Sequence, residues 1–303
     1  MSDSAPEFEP LPGVPPSLLG ESPCWLPDER VLLWVDIPGR QLNEWRPADR
    51  RHRHWPLPTE AGCCVPQPGG SLLLPMRDGL WRFDRATGTR ERLAPAPYDP
   101  KHERFNDGKA DPQGRLWVGT IYEPRDPANA ALYRWSCGRL DRMAGDVTVS
   151  NGLAWSPDGR TMYWSDTKAH VVRALDFNGD NGSLARQRDF ARFPPKAANA
   201  SLAGYGGRPD GAAVDREGAY WVAMFEGQRL LKLSPAGEVL REIPLPVRCP
   251  TMPCFGGDDL RTLFVTTSRE NRPADELAEQ PLAGCVLTLR VEVPGLPVNF
   301  AQP

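Results

Sequence analysis

Hydrophobic residues occur along this chain in short bursts, each cut off by Gly, Pro, Asn or Asp. Bursts such as VLLWVD, RLWVGT, TMYWSD and AYWVAM combine aromatic and β-branched residues, the composition of strands that pack on at least one face. The breaks fall too often for long helices, and the pattern predicts a chain that is almost entirely sheet.

The bursts recur in register. NDGKADPQGRLWVGT, SNGLAWSPDGRTMYWSDT and PDGAAVDREGAYWVAM share a first position, a corner eight residues on and an aromatic strand after it. GESPCWLPDERVLLWVD, AGCCVPQPGGSLLLPM and TMPCFGGDDLRTLFVTT keep the same offsets. The six first positions are Glu21, Ala61, Asn106, Asn151, Asp210 and Thr251, at intervals of 40, 45, 45, 59 and 41. Each hairpin is followed by further short strands such as GLWRFD, ALYRWS, VVRALDF and RLLKLSP. This is the signature of a six-bladed β-propeller with four antiparallel strands per blade. It fills 1–303 as one all-β domain, with 1–17 as a Pro-rich N-terminal extension.

Composition narrows the function. The chain has 303 residues, 34 Pro, 28 Gly and ten Trp, which suit flat packing between sheets. A formal charge of −3 gives no basic stripe, so no nucleic-acid partner is expected, and RPADRRHRHW reads as a solvated hairpin. No apolar run can span a bilayer and no leader pattern opens the chain, so a cytoplasmic protein without a membrane partner is expected. The seven cysteines lack metal-ligand spacing. Cys24, Cys64 and Cys254 share one register position, where Ala154 and Ala213 also stand, and are expected to fill space as small apolar groups rather than form a thiolate site.

The first position carries the chemistry. In a propeller the innermost strand of every blade lines the central channel, so these six residues converge at one mouth. Glu21, Asn151 and Asp210 then offer two carboxylates and an amide oxygen, the ligand set of a hard divalent cation. Without a cation the two carboxylates would raise each other's pKa. Fifteen residues beyond the first positions stand Asp36 and Asp166, expected across the hairpin from Glu21 and Asn151, either orienting ligands or tying down loops.

The motifs LGESPCWLPDERVLLWVDI, RFNDGKADPQGRLWVGT, VSNGLAWSPDGRTMYWSDT, RPDGAAVDREGAYWVA and CFGGDDLRTLFVTT resemble the gluconolactonase, regucalcin (senescence marker protein) and luciferin-regenerating enzyme family, over about residues 18 to 300. The resemblance implies one catalytic divalent metal on Glu21, Asn151 and Asp210. Ca²⁺ is favoured; Mg²⁺, Mn²⁺, Zn²⁺ and Fe²⁺ are alternatives. It also implies substrate contacts from Arg104 and Asn106, and from an acidic residue in the following loop, for which Glu123 is the candidate. The implied reaction is hydrolysis of a sugar lactone, such as a gluconolactone or a pentonolactone, to its hydroxy acid. A Lewis-acid metal would polarise the carbonyl, Asp210 would serve the attacking water and Arg104 would steady the oxyanion. Alternatives are a phosphoester or organophosphate hydrolase on the same propeller and a non-enzymatic calcium-binding propeller. His102, just before RFNDG, is expected to be an exposed loop residue. The long interval before Asp210 places 194–207, with Tyr205, beside the mouth as a candidate substrate wall. Oligomeric state has no signal in the sequence.

Overall fold

The computed structural model describes residues 8–302. Six four-stranded antiparallel sheets surround a central channel, each with its first strand innermost. Blade 1 runs Gly20–Leu26, Val31–Asp36, Gln41–Arg46 and Arg51–Pro56. The inner strands of blades 2 to 6 are Val65–Pro66, Glu103–Ala110, Ser150–Trp155, Arg208–Val214 and Pro250–Gly256. Among the described residues the one α-helix is Ala274–Glu279, inside blade 6.

Blade 6 departs from the others. Its inner strands Pro250–Gly256, Thr262–Thr267 and Leu287–Arg290 are completed from outside by Glu9–Pro10, with Glu9 opposite Thr288 and Pro10 opposite Leu287. Part of the segment read as an extension, 1–17, is therefore a blade strand that joins the two ends of the chain. Residues 1–7 of it lie outside the described residues.

The corners follow from their glycines. Gly69, Gly114, Gly159 and Gly218 stand eight residues after the first positions with φ between 65° and 86°, a conformation that costs other residues strain. In blades 3 and 5 the corner also uses an aspartate. Asp111 accepts the N–H groups of Gln113 and Arg115 and the Trp117 indole N–H (2.9 Å each). Asp215 does the same for Glu217, Ala219 and the Trp221 indole. An Asp six residues before a Trp thus fixes the turn and satisfies the buried ring nitrogen.

Six apolar clusters form the core, one in each seam between blades. Cys24 and Cys64 belong to the seam between blades 1 and 2, Cys63 to the next, and Cys254 packs on the seam that closes the ring. These thiols pack among apolar side chains, as expected of Cys24, Cys64 and Cys254 from the register those three share. The stretch RHRHWP forms the solvated outer strand of blade 1, where Arg53 pairs with Glu44 (2.8 Å).

Candidate functional site

The inner strands break register where the candidate residues stand. In blade 1 the ladder shifts between Glu21 and Cys24, in blade 3 between Phe105 and Gly108, in blade 4 between Asn151 and Ala154, and in blade 5 between Pro209 and Ala212. A bulge kinks its strand and re-aims the side chains around it. In blade 4 it needs Gly152, whose φ of 66° and tight surroundings leave no room for a Cβ, which would lie 2.4 Å from the Tyr220 hydroxyl.

Three carboxylates meet at this level. Glu21, Asp107 and Asp210 are all buried. Desolvation, with the charges of Asp210 and Asp107, raises Glu21 well above the usual carboxylate range. Desolvation, reinforced by Asp107, pushes Asp210 up to about 8. Among the described residues the Asp210 carboxylate accepts no hydrogen bond, and Glu21 accepts only the N–H of its neighbour Ser22, at 3.3 Å. Asp107 accepts the Leu153 N–H through one oxygen (2.8 Å), and its Oδ1 is buried without a partner. Lys109 supplies positive charge beside Asp107, whereas Glu21 and Asp210 have no cation at ion-pair distance among the described residues and call for a positive partner.

A hydrogen-bond chain orients the amides beside them. The Thr167 hydroxyl donates to the Pro209 carbonyl (2.7 Å), so it can only accept from Asn151 Nδ2 (2.8 Å). Asn151 Oδ1 is thereby turned away from Thr167 and accepts from Asn106 Nδ2 (2.9 Å), which also donates to the Ser150 carbonyl (3.0 Å). Asn106 Oδ1 in turn accepts from Arg104 Nη1 (2.8 Å). Thr167 was not singled out in the sequence. The signal was there, since it follows the D of WSDT directly, but a hydroxyl one residue past a strand end is common.

Arg104 sits beside this chain. Its Nη1 also donates to the Phe105 carbonyl (2.9 Å), and its Nη2 has no partner among the described residues. Burial lowers its pKa, opposed chiefly by Glu123. Glu123 does come to the mouth, 3.8 Å from Arg104 Nε, but Arg77 holds it on both oxygens (2.8 and 3.1 Å) while also binding Glu60 (3.0 Å). Glu123 accordingly titrates below the usual range, through the hydrogen bonds from Arg77. Arg77 and Glu60 were not among the sequence candidates.

Other expectations need correction or sharper placement. Glu21 pairs with Val35 and Asn151 with Ser165, so Asp36 and Asp166 stand one step off, opposite Gly20 and Ser150. Their carboxylates accept backbone N–H groups, Asp36 from Leu18 and Leu19 and Asp166 from Thr148 and Val149. They tie down the loops entering the inner strands, and the bulges account for the slipped offset. His102 is exposed, and its backbone carbonyl, not its ring, binds the Glu123 N–H (2.9 Å). Tyr205 gives its hydroxyl to His170 Nε2 (2.6 Å), which pins the end of 194–207 to blade 4.

The donor set fits a hard divalent ion. Among the described residues no three His, Cys, Asp or Glu side chains cluster closely enough to hold an ion alone, and the Asn151 amide oxygen is a further hard donor at the same ring position as Glu21 and Asp210. The buried, unpartnered Oδ1 of Asp107 is what such a cradle leaves behind.

Fold and site together define a six-bladed propeller with an oxygen-lined, carboxylate-rich mouth. The chain belongs to the family described as "SMP-30/Gluconolactonase/LRE-like region", whose pattern matches residues 19–269. It is 48% identical over 283 residues to a Pseudomonas putida protein named 6-deoxy-6-sulfogluconolactonase, covering 92% of this chain and 94% of that one. It is 33% identical over 289 residues to regucalcin of Danio rerio, covering 94% and 93%. A solved structure of the calcium-binding protein regucalcin from Agrobacterium tumefaciens superposes with a TM-score of 0.91 at 26% identity, over 99% of this chain and 98% of that one.

Proposed function

We propose that this chain is a divalent-metal-dependent hydrolase that opens a gluconolactone-type sugar lactone to its hydroxy acid. The observation that carries the proposal is the pairing of under-bonded buried carboxylates with a half-satisfied arginine at one mouth. Glu21, Asn151 and Asp210 would hold the ion, which when bound supplies Lewis-acid polarisation of the lactone carbonyl. Arg104 directs its unpaired Nη2 at the carbonyl oxygen and strengthens that hydrogen bond as the oxygen gains charge. Asn106 is held by Arg104 and Asn151 in the orientation needed to meet a substrate hydroxyl. Glu123, clamped by Arg77, lends its charge to Arg104 and lines the same side.

Asp210 serves as the base through the carboxylate oxygen that is not turned to the ion. As water attacks, Asp210 takes a proton from it and the new C–O bond forms. When the ring C–O bond breaks, Asp210 returns that proton to the departing alkoxide, so no net acid or base is consumed. The name of the P. putida relative makes the sulfonated gluconolactone the first substrate to try.

The experiment is lactone opening by chelated protein, with Ca²⁺, Mg²⁺, Mn²⁺ or Zn²⁺ added back singly. Chelation should remove nearly all turnover and at least one ion should restore it, in the parent and not in Arg104→Gln. Turnover that survives chelation, or Arg104→Gln with parental kcat/KM, would overturn the proposal.

A further inference from the structure

The ring position of blade 2 is Ala61, which carries no polar group. Blade 2 reaches the mouth from the other end of its hairpin. Arg77 follows the second strand of the blade, Ser71–Met76, and stands sixteen residues after Ala61. The same step leads from Asn151 to Thr167 and from Asp210 to Glu226. Each of the three side chains binds a group of the following blade: Arg77 binds Glu123, Thr167 the Pro209 carbonyl, and Glu226 Arg272. The residue types differ, so no motif marks them, but the position is where one blade holds the next.

Glu123 has a nearer claimant by strand geometry. Arg104 stands opposite Ile121 in the ladder of blade 3, and the Glu123 N–H on the His102 carbonyl (2.9 Å) carries that ladder past the strand end. Glu123 is therefore the diagonal neighbour of Arg104 on the same face, a placing in which a long acid and a long base ordinarily pair. They do not. Arg104 Nε is 3.8 Å from Glu123 Oε1, whereas Arg77 takes both Glu123 oxygens through Nη2 and Nη1, at 2.8 and 3.1 Å. Arg77 is itself held in place, with Nε on Glu60 (3.0 Å) and Nη1 also on the Pro100 carbonyl (3.0 Å), while the Thr59 hydroxyl binds Glu60 (2.7 Å). A guanidinium fork can grip two carboxylate oxygens at once in this way; a single ammonium cannot.

The consequence falls on Arg104. Its Nη1 is filled by the Phe105 carbonyl and Asn106 Oδ1, while Nε and Nη2 donate no hydrogen bond among the described residues. A Glu123 carboxylate released from Arg77 would need to move about 1 Å to come within hydrogen-bond distance of Nε. We infer that Arg77 is a positioning residue that holds Glu123 back from Arg104 and so keeps Nε and Nη2 of Arg104 free for substrate. The inference rests on the lactonase reading only for what Arg104 then binds. Without Arg77, Glu123 closes on Arg104 as a two-point salt bridge, and the guanidinium is occupied before a lactone arrives. An arginine already paired gives little to a carbonyl oxygen that gains charge, so the loss falls on the transition state and is read in kcat.

The test compares the metal-loaded parent with Arg77→Met, Arg77→Lys, Glu123→Gln and the double variant Arg77→Met/Glu123→Gln, using a gluconolactone as the probe. Arg77→Met should lower kcat by about tenfold to a hundredfold while KM changes by less than about threefold, with Arg77→Lys in between. The double variant should recover to within about threefold of Glu123→Gln alone, because the group that captures Arg104 is gone. A merely structural Arg77 gives the opposite result, since losing both members of the clamp disturbs the loops at least as much as losing one. A loss in Arg77→Met that Glu123→Gln does not relieve, or no loss at all, would overturn the inference. Crystal structures of the parent and Arg77→Met judge the contact independently of turnover. Glu123 should move onto Arg104 Nε and Nη2, at about 3 Å; a Glu123 carboxylate that stays off Arg104 would overturn the inference as well. Capture of Arg104 in that structure, with no lactone turnover by the parent, would keep the role of Arg77 and sink the hydrolase.

Discussion

The two levels of the central channel are built from the same six strands, three residues apart, and they treat buried polar groups in opposite ways. At the upper level stand Glu21, Asn106, Asn151 and Asp210, with Asp107 next to them, and carboxylate oxygens go without donors. At the lower level stand Cys24, Cys64, Lys109, Ala154, Ala213 and Cys254, around a cavity of ≈ 300 Å³ also lined by Leu296, Pro297, Val298 and Asn299. The C-terminal segment crosses beneath it, with the N–H of Ala301 on the Pro66 carbonyl (2.7 Å) and that of Gln302 on the Gly114 carbonyl (2.8 Å).

The lower level is answered from within. Lys109 donates to the Ala212 carbonyl and faces the charge of Asp107, while burial pushes the Cys64 thiol up to about 12 and Cys254 up to about 11, so both stay neutral. The upper level is not. Its carboxylates repel one another and have few donors, an arrangement that destabilises the fold unless something positive joins it. Burial alone therefore does not mark a site. The mark is burial without an internal partner.

The largest effect is expected where that imbalance is removed. Asp210→Asn should lower divalent-ion affinity by about a hundredfold or more and abolish most turnover, as calorimetric titration and lactone assay would show. Its metal-free fold should respond in the opposite sense. Asp210 titrates near 8 when folded, against an ordinary value of about 4 when unfolded. A folded pKa above the unfolded one gives stability that is complete below about pH 4 and is lost as the pH rises toward about 8. The melting temperature of the metal-free parent should therefore fall across that window, and Asp210→Asn should flatten the fall. A parent profile as flat as the variant's would break the contrast between the levels.

A smaller effect tests the orientation of the amides. Thr167→Val keeps shape but removes the acceptor that fixes Asn151 Nδ2, and should cost about tenfold to a hundredfold in ion affinity with the fold intact. The smallest belongs to the lower level. Cys64→Ala should leave ion affinity and kcat/KM within about twofold of the parent and cost about 1 kcal/mol of stability from lost packing. A large activity loss there would show that the thiols take part in the site.

Much of this was legible in the sequence, for a physical reason. A propeller repeats one hairpin, so Gly114, Gly159 and Gly218 and the strands after them announce the blades, and convergence of Glu21, Asn151 and Asp210 follows from the register. What the register could not show is anything that crosses blades. The strand Glu9–Pro10 pairs with residues nearly the whole chain away, and two residues carry too little pattern to be read as a strand. Thr167 and Arg77 act on residues of neighbouring blades, through contacts that no local motif encodes. The bulges at Glu21 and Asn151 shift the ladder by one, which is why Asp36 and Asp166 hold loops and not ligands.

The central claim is that the upper carboxylates, raised by burial and mutual repulsion, are completed by a divalent cation. Calorimetric titration of the chelated protein at pH 7, repeated in buffers of different ionisation enthalpy, tests it most directly, because it counts protons as well as ions. The account predicts one ion per chain, with about one proton or more released on binding as Asp210 and Glu21 give up theirs to the metal. Binding without proton release, or no binding of any divalent ion, would contradict it.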